Sequence, residues 1–507
     1  MKEHQVDAPR RRDAPVEMSP EEFRRAGHRV VDLIADWLGR MPDGPVTRAT
    51  TPRAMRAVIG ERPLPADGAP ALPVLEEAAR LLFEHSLFNG HPRFWGYITS
   101  SATPLGALAD LLASSVNPNV GGWQLSPLAS EIEAQTIRWL GELIGFPAGG
   151  GLLVSGGNMA NMVAFFAARR AKTPWDLRAL GLAGRTERLV MYASTESHTW
   201  IQKAADLSGL GTNAIRWIDA DAEQRMDVGM LERRVREDRA AGLLPFLVVG
   251  AAGTVSTGAI DPLPAIADLA AREHLWFHVD GAYGAPAAAL EEAPPDLRGL
   301  AGADSIALDP HKWLYAPLEA GCTLVREPKR LADAFSFHPT YYHFGDPADE
   351  DPQTNYYELG LQNSRGFRAL KVWLGLKQAG RAGHIKMIRD DIALARALHR
   401  AAAARPDLET VTCNLSIATF RYVPPDLKGR ADAEKYLDTL NEEVLNRIKD
   451  GGEAFVSNAV VGGRFVLRAC IVNFRTTLAD VEALPALVAR LGRKADDTLR
   501  PAALRKR

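Results

Sequence analysis

Apolar positions along this chain follow two different periods, and the change between them marks out its parts. In "SPEEFRRAGHRVVDLIADWLGR", from residue 19, Phe23, Val30, Ile34, Trp37 and Leu38 fall on one helical face. Ser19 suits the N-cap, Pro20 the first helical position and Glu22 the reciprocal capping contact. Such a stripe needs a partner surface, on the same body or on another subunit. A Pro- and Gly-rich connector over 41–73 precedes a second helical run, "VLEEAARLLFEHSLF". From about residue 90 to 380, short β-branched runs alternate with helical stretches. They are "RLVMYAS" (188–194), "LPFLVVGAAG" (244–253), "LWFHVDGAYG" (275–284), "SIALDP" (305–310) and "CTLVRE" (322–327). Apolar strands without alternation are buried on both faces, which predicts a mostly parallel α/β sheet. Chemistry in such sheets collects at the carboxyl ends of strands. Beyond residue 386 a long helix, "MIRDDIALARALHRAAAA", and the strand-like pieces "ATFRYV" and "FVLRACIVNF" predict a smaller α/β domain. The chain thus divides into a disordered tail (1–18), an N-terminal helical segment (19–88), a large domain (89–384) and a small C-terminal domain (385–507).

Composition narrows the classes open to it. Over 507 residues, 46% are hydrophobic and 24% charged, enough apolar chain for a sizeable core. Lys and Arg (60) nearly balance Asp and Glu (62), so the protein as a whole offers no charge attraction for nucleic acid or an anionic membrane. The three cysteines, Cys322, Cys413 and Cys470, are scattered and lack metal-ligand spacing, which points to a reducing compartment and to no metal site. The N-terminal "MKEHQVDAPRRRDAPVEMSP" has no apolar core and reads as a solvated tail, neither a secretory signal nor an anchor. No run approaches the ~18 apolar residues of a membrane span, so a soluble cytoplasmic protein is expected.

The polar residues at the strand ends are of particular kinds. "GLLVSGGNMANM" reads as a strand, a turn at Ser155, Gly156, Gly157 and Asn158, and the start of a helix. Free N–H groups and a positive dipole end at such a turn suit a phosphate. "MYASTESHTW" ends a strand with His198, and "VVGAAGTVSTGAIDP" leaves its strand through small residues near Thr254, where a flat group can approach. "LWFHVDGAYGA" sets Asp280 at the end of an apolar strand, before Gly281 and Ala282. A carboxylate there needs a cation or several donors. "SIALDPHKWLYAPLEAGC" breaks at Asp309 and Pro310 and delivers His311 and Lys312 between two apolar runs. Lysine is rarely buried unless paired or chemically used.

Singly, each of these is an ordinary turn or a structural histidine. Together they meet the requirements of one cofactor, pyridoxal 5'-phosphate. A carboxylate keeps a pyridine nitrogen protonated, and a small residue and an imidazole take the two ring faces. The glycine turn holds the phosphate, and a lysine condenses with the aldehyde.

"HVDGAYGA", with "DPHKW" about thirty residues later, resembles the group II pyridoxal-phosphate amino-acid decarboxylases. That family includes the aromatic-amino-acid, tyrosine, histidine and glutamate decarboxylases. The likeness runs from "SPEEFRRAGHRVVDLIADWL" through "HPRFWGYITS", "SPLASEIE" and "GFRALKVW" to "FVLRACIVNFRTT", nearly the whole chain. It implies a PLP-dependent transferase fold of the aspartate aminotransferase type (fold type I). It also implies decarboxylation of an L-amino acid to its amine and CO2, in a homodimer paired through the 19–88 segment with its active site at the interface.

By this resemblance Lys312 binds the cofactor aldehyde, Asp280 pairs with the pyridine nitrogen, Ala282 lies against the ring and His198 stacks on its other face. Thr254 lies close to the cofactor and the substrate carboxylate. Gly156, Gly157 and Asn158 hold the phosphate, with His311 nearby. Arg468 falls where relatives place an arginine able to reach the substrate α-carboxylate. "FSFHPTYYHFGDPADEDPQTNYYELG" resembles the family's active-site loop, where Tyr341, next to Tyr342, matches the tyrosine that protonates the substrate carbon after CO2 leaves. Relatives with Phe there, or without the stacked histidine, tend to form aldehydes. This chain keeps both Tyr341 and His198.

The substrate is read from two stretches. "HPRFWGYITSSATP" offers Trp95 and Tyr97, and "NPNVGGW" offers Trp123; Arg93 is the one cation in them. Tyr97 stands where glutamate decarboxylases carry a glutamine, although "SGGNMANM" is closer to their version of the turn. Aromatic walls with few charges suit Tyr, Trp, Phe or Dopa, unless these rings are core or dimer packing. The alternatives are a non-aromatic substrate such as glutamate, an aldehyde-forming oxidative decarboxylase, and an aminotransferase of the same fold.

Overall fold

In the computed structural model, which describes residues 14–337 and 353–505, the first helix begins where its capping residues stand. The Glu22 N–H donates to Ser19 Oγ at 3.2 Å, and the Ser19 N–H donates to Glu22 Oε2 at 2.9 Å. This helix, Pro20–Arg40, packs on the helix Ala71–His85, with Trp37 stacked on Phe83 at 5.1 Å. The partner surface covers only part of the stripe, since Phe23 and Ile34 remain exposed.

Seven strands form the large sheet: β1 Gly150–Val154, β2 Leu189–Ser194, β3 Ile215–Ile218, β4 Leu244–Ala251, β5 Trp276–Asp280, β6 Ser305–Leu308 and β7 Gly321–Val325. Their order is β1-β7-β6-β5-β4-β2-β3. Strands β3, β2, β4, β5 and β6 run parallel, and β7 is antiparallel to both β6 and β1. The fold is therefore the mostly parallel α/β architecture expected, with every residue of β2, β6 and β7 buried. Strand β3 escapes the sequence pattern because it is a four-residue edge, "IRWI", whose Arg216 pairs with Asp238 at 3.1 Å. At the centre, Asp280 is in register with Ala251 on β4 and Ala307 on β6. Two alanines flanking the carboxylate leave the sheet edge open above it.

A second sheet of four antiparallel strands, β8 Leu408–Asn414, β9 Ile417–Tyr422, β10 Ser457–Val461 and β11 Arg464–Cys470, has the order β10-β11-β9-β8. The expected strand pieces correspond to β9 and β11. β10 alternates buried and exposed positions and β8 is mostly half-buried, so neither shows as an apolar run. The helix Ala369–Ala403 crosses residues 384 and 385 without ending there and touches both sheets' layers; Gly380, at φ 62°, interrupts its helical backbone. The segment around residue 94, upstream of the large sheet, joins the small one. Phe94 bridges to Phe455, and the Trp95 N–H donates to the Phe455 carbonyl at 2.8 Å.

Candidate active site

The strand-end residues converge on a cavity of ≈ 250 Å³ at the carboxyl ends of the parallel strands. Gly157, Asn158, His198, Thr254, Asp280, Ala282 and Lys312 all line it. A larger cavity of ≈ 620 Å³ lies elsewhere, lined by Phe166, Arg169, Arg178 and Phe335, and gathers none of them.

Asp280 closes β5. Its Oδ2 accepts the Trp200 indole N–H at 2.9 Å and its Oδ1 the Ala282 backbone N–H at 3.2 Å. Two residues earlier on the same face, His278 is fully buried, and desolvation pushes its pKa down to about 4. It is a neutral ring held at both ends, by Asn161 Oδ1 at 2.7 Å and Ser305 Oγ at 2.9 Å. Asn161 in turn donates to the Gly157 carbonyl at 2.8 Å. A chain of hydrogen bonds thus ties the strand that carries Asp280 to the glycine turn.

That turn requires its glycines. Gly156 has φ 120°, a conformation side chains rarely adopt. A Cβ on Gly157 would stand 2.6 Å from Asp309 Oδ2 and 3.2 Å from the Ala282 Cβ. The helix Gly157–Lys172 starts here, with its first N–H groups unpaired within the helix.

Lys312 Nζ lies 3.0 Å from Asp309 Oδ2, with the lysine side chain 21% exposed and the aspartate 2%. Asp309 Oδ1 is buried without a hydrogen-bond partner. His311 is not among the residues that line the cavity. Its Nδ1 meets the Ala320 carbonyl at 2.8 Å, its Nε2 lies 3.7 Å from Asp309, and burial lowers its pKa. Behind the lysine, the Trp313 indole and the Tyr315 hydroxyl both donate to Asp391 Oδ2, at 2.9 and 2.5 Å.

His198 opens onto the cavity, and its Nδ1 accepts the Trp200 backbone N–H at 3.2 Å, so the neutral ring carries its proton on Nε2. Burial lowers its pKa, with Asp280 opposing that shift. Thr254, 2% exposed, shares a hydrogen bond with Thr257 at 3.1 Å.

The residues read as substrate walls sit elsewhere. Trp95 belongs to the core of the small domain and spends its indole N–H on Thr476 at 3.1 Å, so it packs rather than lining the cavity. Trp123 donates to Glu131 at 2.8 Å, outside the cavity wall. Tyr97 is 57% exposed with φ 51°, next to the cavity-lining Ile98. Its carbonyl accepts from Arg468 Nη1 at 3.0 Å. Arg468 is 2% exposed, and its Nε and Nη2 have no hydrogen-bond partner. Tyr341 and Tyr342 lie outside the described residues.

Sequence reasoning reads Asp309 only as a strand breaker, although the logic applied to Asp280, an acid at the end of an apolar run, covers it equally. Trp200, Asn161 and Asp391 carry no local signal; their partners lie 80, 117 and 78 residues away.

Residues 52–423 match the family model described as "Pyridoxal-dependent decarboxylase conserved domain". The chain belongs to this family. An aromatic-L-amino-acid decarboxylase of Bacillus atrophaeus is 34% identical over 468 residues, spanning 92% of this chain and 94% of the relative. A phenylacetaldehyde synthase of Petunia hybrida is 31% identical over 470 residues, 90% of this chain and 91% of the relative. Among solved structures, Oryza sativa TDC with PLP and tryptamine superposes with a TM-score of 0.87 at 29% identity, over 94% of this chain and 99% of that one. The protein is a PLP-dependent amino-acid decarboxylase, a carboxy-lyase of fold type I. The local donor set fits that cofactor: a glycine cradle with no room for a Cβ, an anchored carboxylate, and a lysine beside a buried, unpartnered acid oxygen.

Proposed function

We propose that this decarboxylase acts on an aromatic L-amino acid, releasing CO2 and the corresponding amine. The observation that carries the site assignment is the convergence of Lys312, Asp280, His198 and the Gly157 turn on one cavity. The aromatic preference is supported by the 34% identity to the Bacillus atrophaeus aromatic-L-amino-acid decarboxylase.

Bound pyridoxal 5'-phosphate supplies an electron sink for the pair left on the substrate carbon as CO2 departs. Asp280 holds the pyridine nitrogen protonated, because an opposite charge at short range favours the charged form. Gly156, Gly157 and Asn158 offer N–H groups to the phosphate at a helix N-terminus, with His311 bracing the turn behind them. Ala282 and His198, which line the same cavity, would hold the ring between them. Lys312, on the cavity wall, would be the residue that holds the cofactor by its aldehyde. Arg468, with two guanidinium nitrogens lacking protein partners, would take the substrate α-carboxylate, with Thr254 beside it, and so orient the bond to be broken. Fixed orientation of this kind supplies on the order of 7–11 kcal/mol in the best cases. Tyr341 delivers the proton to Cα; its assignment rests on the sequence. Tyr97, exposed next to the cavity-lining Ile98, is the one of the three aromatic residues proposed to border the substrate side chain.

The working unit proposed is a cytoplasmic homodimer with the active site at the subunit interface. Leu108, Leu111, Leu112 and Val116 form an exposed apolar stripe on the helix Pro104–Val116, which supports such a pairing together with Phe23 and Ile34. All three cysteines are free, as suits a reducing compartment, and no described helix is long and apolar enough to cross a membrane.

The test is incubation of the PLP-loaded protein with a panel of L-amino acids, assaying CO2, amine and aldehyde. Aromatic substrates should give CO2 and amine in equal amounts. A preference for glutamate overturns the substrate class, and aldehyde as the main product supports the second reading, which the likeness to the Petunia hybrida phenylacetaldehyde synthase keeps in view.

A further inference from the structure

One buried side chain of the cavity wall has no part in the scheme above. Trp200 opens the helix Trp200–Leu207, two residues after His198, and is 0% exposed. Its indole N–H donates to Asp280 Oδ2 at 2.9 Å, and its ring meets His278 edge-on at 5.8 Å and 89°. Among the described residues it is the one side chain that hydrogen-bonds Asp280; the other donor is the Ala282 backbone. The neighbouring imidazole cannot take over, because both His278 nitrogens are engaged by Asn161 and Ser305.

We infer that Trp200 is a positioning residue for the cofactor: its indole N–H sets the rotamer of the Asp280 carboxylate and stabilises its charge, leaving the carboxylate aimed at the pyridine nitrogen. The inference rests on the reading of Asp280 as the partner of that nitrogen. The physical case is simple. A half-buried carboxylate turns or recruits water unless both oxygens are held, and a donor to the charged form favours that form. Backbone N–H alone fixes Oδ1; Trp200 is what fixes Oδ2. Trp200 also closes a triangle: its backbone N–H holds His198 Nδ1, its indole N–H holds Asp280, and its ring edge packs on His278. The two side chains assigned to the ring nitrogen and the ring face are therefore set by one residue.

The test is a double-mutant cycle on cofactor affinity, with no turnover involved. The apo forms of the parent, Trp200→Phe, Asp280→Ala and the double variant are titrated with pyridoxal 5'-phosphate, following cofactor absorbance. Phe keeps a ring beside His278 and removes the donor. The expected result is about a 10- to 100-fold rise in dissociation constant for Trp200→Phe in the parent background, the size of one charge-assisted hydrogen bond. In the Asp280→Ala background the same change should matter less than about twofold. Equal effects in both backgrounds, or none with Asp280 present, overturn the inference. If Asp280→Ala itself leaves affinity unchanged, the reading of Asp280 fails instead. Should Trp200→Phe not fold, the parent decides through 15N-indole spectra. The Trp200 N–H resonance must move in Asp280→Ala, and an unmoved resonance refutes the contact.

Discussion

The turn from Asp309 to Ala316 has two sides, and they are built differently. Towards the cavity, Asp309 Oδ1 is buried with no partner and Lys312 is partly exposed, paired with the other oxygen at 3.0 Å. Towards the core, Trp313 and Tyr315 each donate to the fully buried Asp391, and Trp313 stacks on Tyr283 at 5.0 Å. Tyr283 is itself held by Ser416 at 2.6 Å, so the lysine turn is fastened to the small domain as well. The contrast separates two jobs. A satisfied buried network makes the backbone rigid, whereas an unsatisfied polar atom persists where a ligand is due to meet it. Lys312 hangs from the rigid side into the unfinished one.

Removing the front should abolish chemistry and spare the fold. Lys312→Ala is expected to lower amine production by at least about 10³-fold, with little change in melting temperature. A comparable loss of melting temperature would mean that the lysine is structural. Tyr341→Phe should redirect product from amine towards aldehyde, read by product analysis, and an unchanged amine yield would exclude its proton-transfer role.

Removing the back should do the opposite. Asp391→Ala leaves two buried donors without an acceptor, and a loss of about 2–4 kcal/mol in denaturant unfolding is expected, with a smaller effect on catalysis at saturating cofactor. The smallest effect is on pH dependence. Burial raises the Asp391 pKa from its ordinary value to about 7 in the folded protein. A carboxyl raised in this way binds its proton more tightly folded than unfolded, so its stabilisation is complete below the unfolded pKa. It is lost as pH rises through about 7. Asp391→Asn should therefore flatten the decline in stability between about pH 4 and 7, by on the order of 1–3 kcal/mol. An unchanged slope would show that Asp391 stays ionised throughout.

Much of the front was legible from residue order, because each of its parts stands at the end of an apolar run and the chemistry demands particular residue types there. Asp280, His198, Lys312 and the glycine turn follow that rule, and β2, β4, β5, β6 and β7 sit where continuous apolar runs predict them. The back was not legible. Asp391 lies in the middle of a helix and meets Trp313 only through the tertiary fold, and nothing local distinguishes it from the adjacent Asp390. Trp95 shows the converse error. An aromatic residue close to site residues in sequence reads as a wall, but a large apolar ring with one donor is satisfied by a core and by Thr476. Edge strands such as β3 and β10 are lost for the reason they are stable at an edge: their outer face is polar or exposed.

The most direct test of the two-sided turn is chemical. The PLP-loaded protein is treated with borohydride, which makes the bond between cofactor and lysine nitrogen permanent, and is then digested and mapped by mass spectrometry. The account predicts the phosphopyridoxyl group on Lys312, in the peptide containing "DPHKW". A label on any other lysine, with Lys312 unmodified, would contradict it.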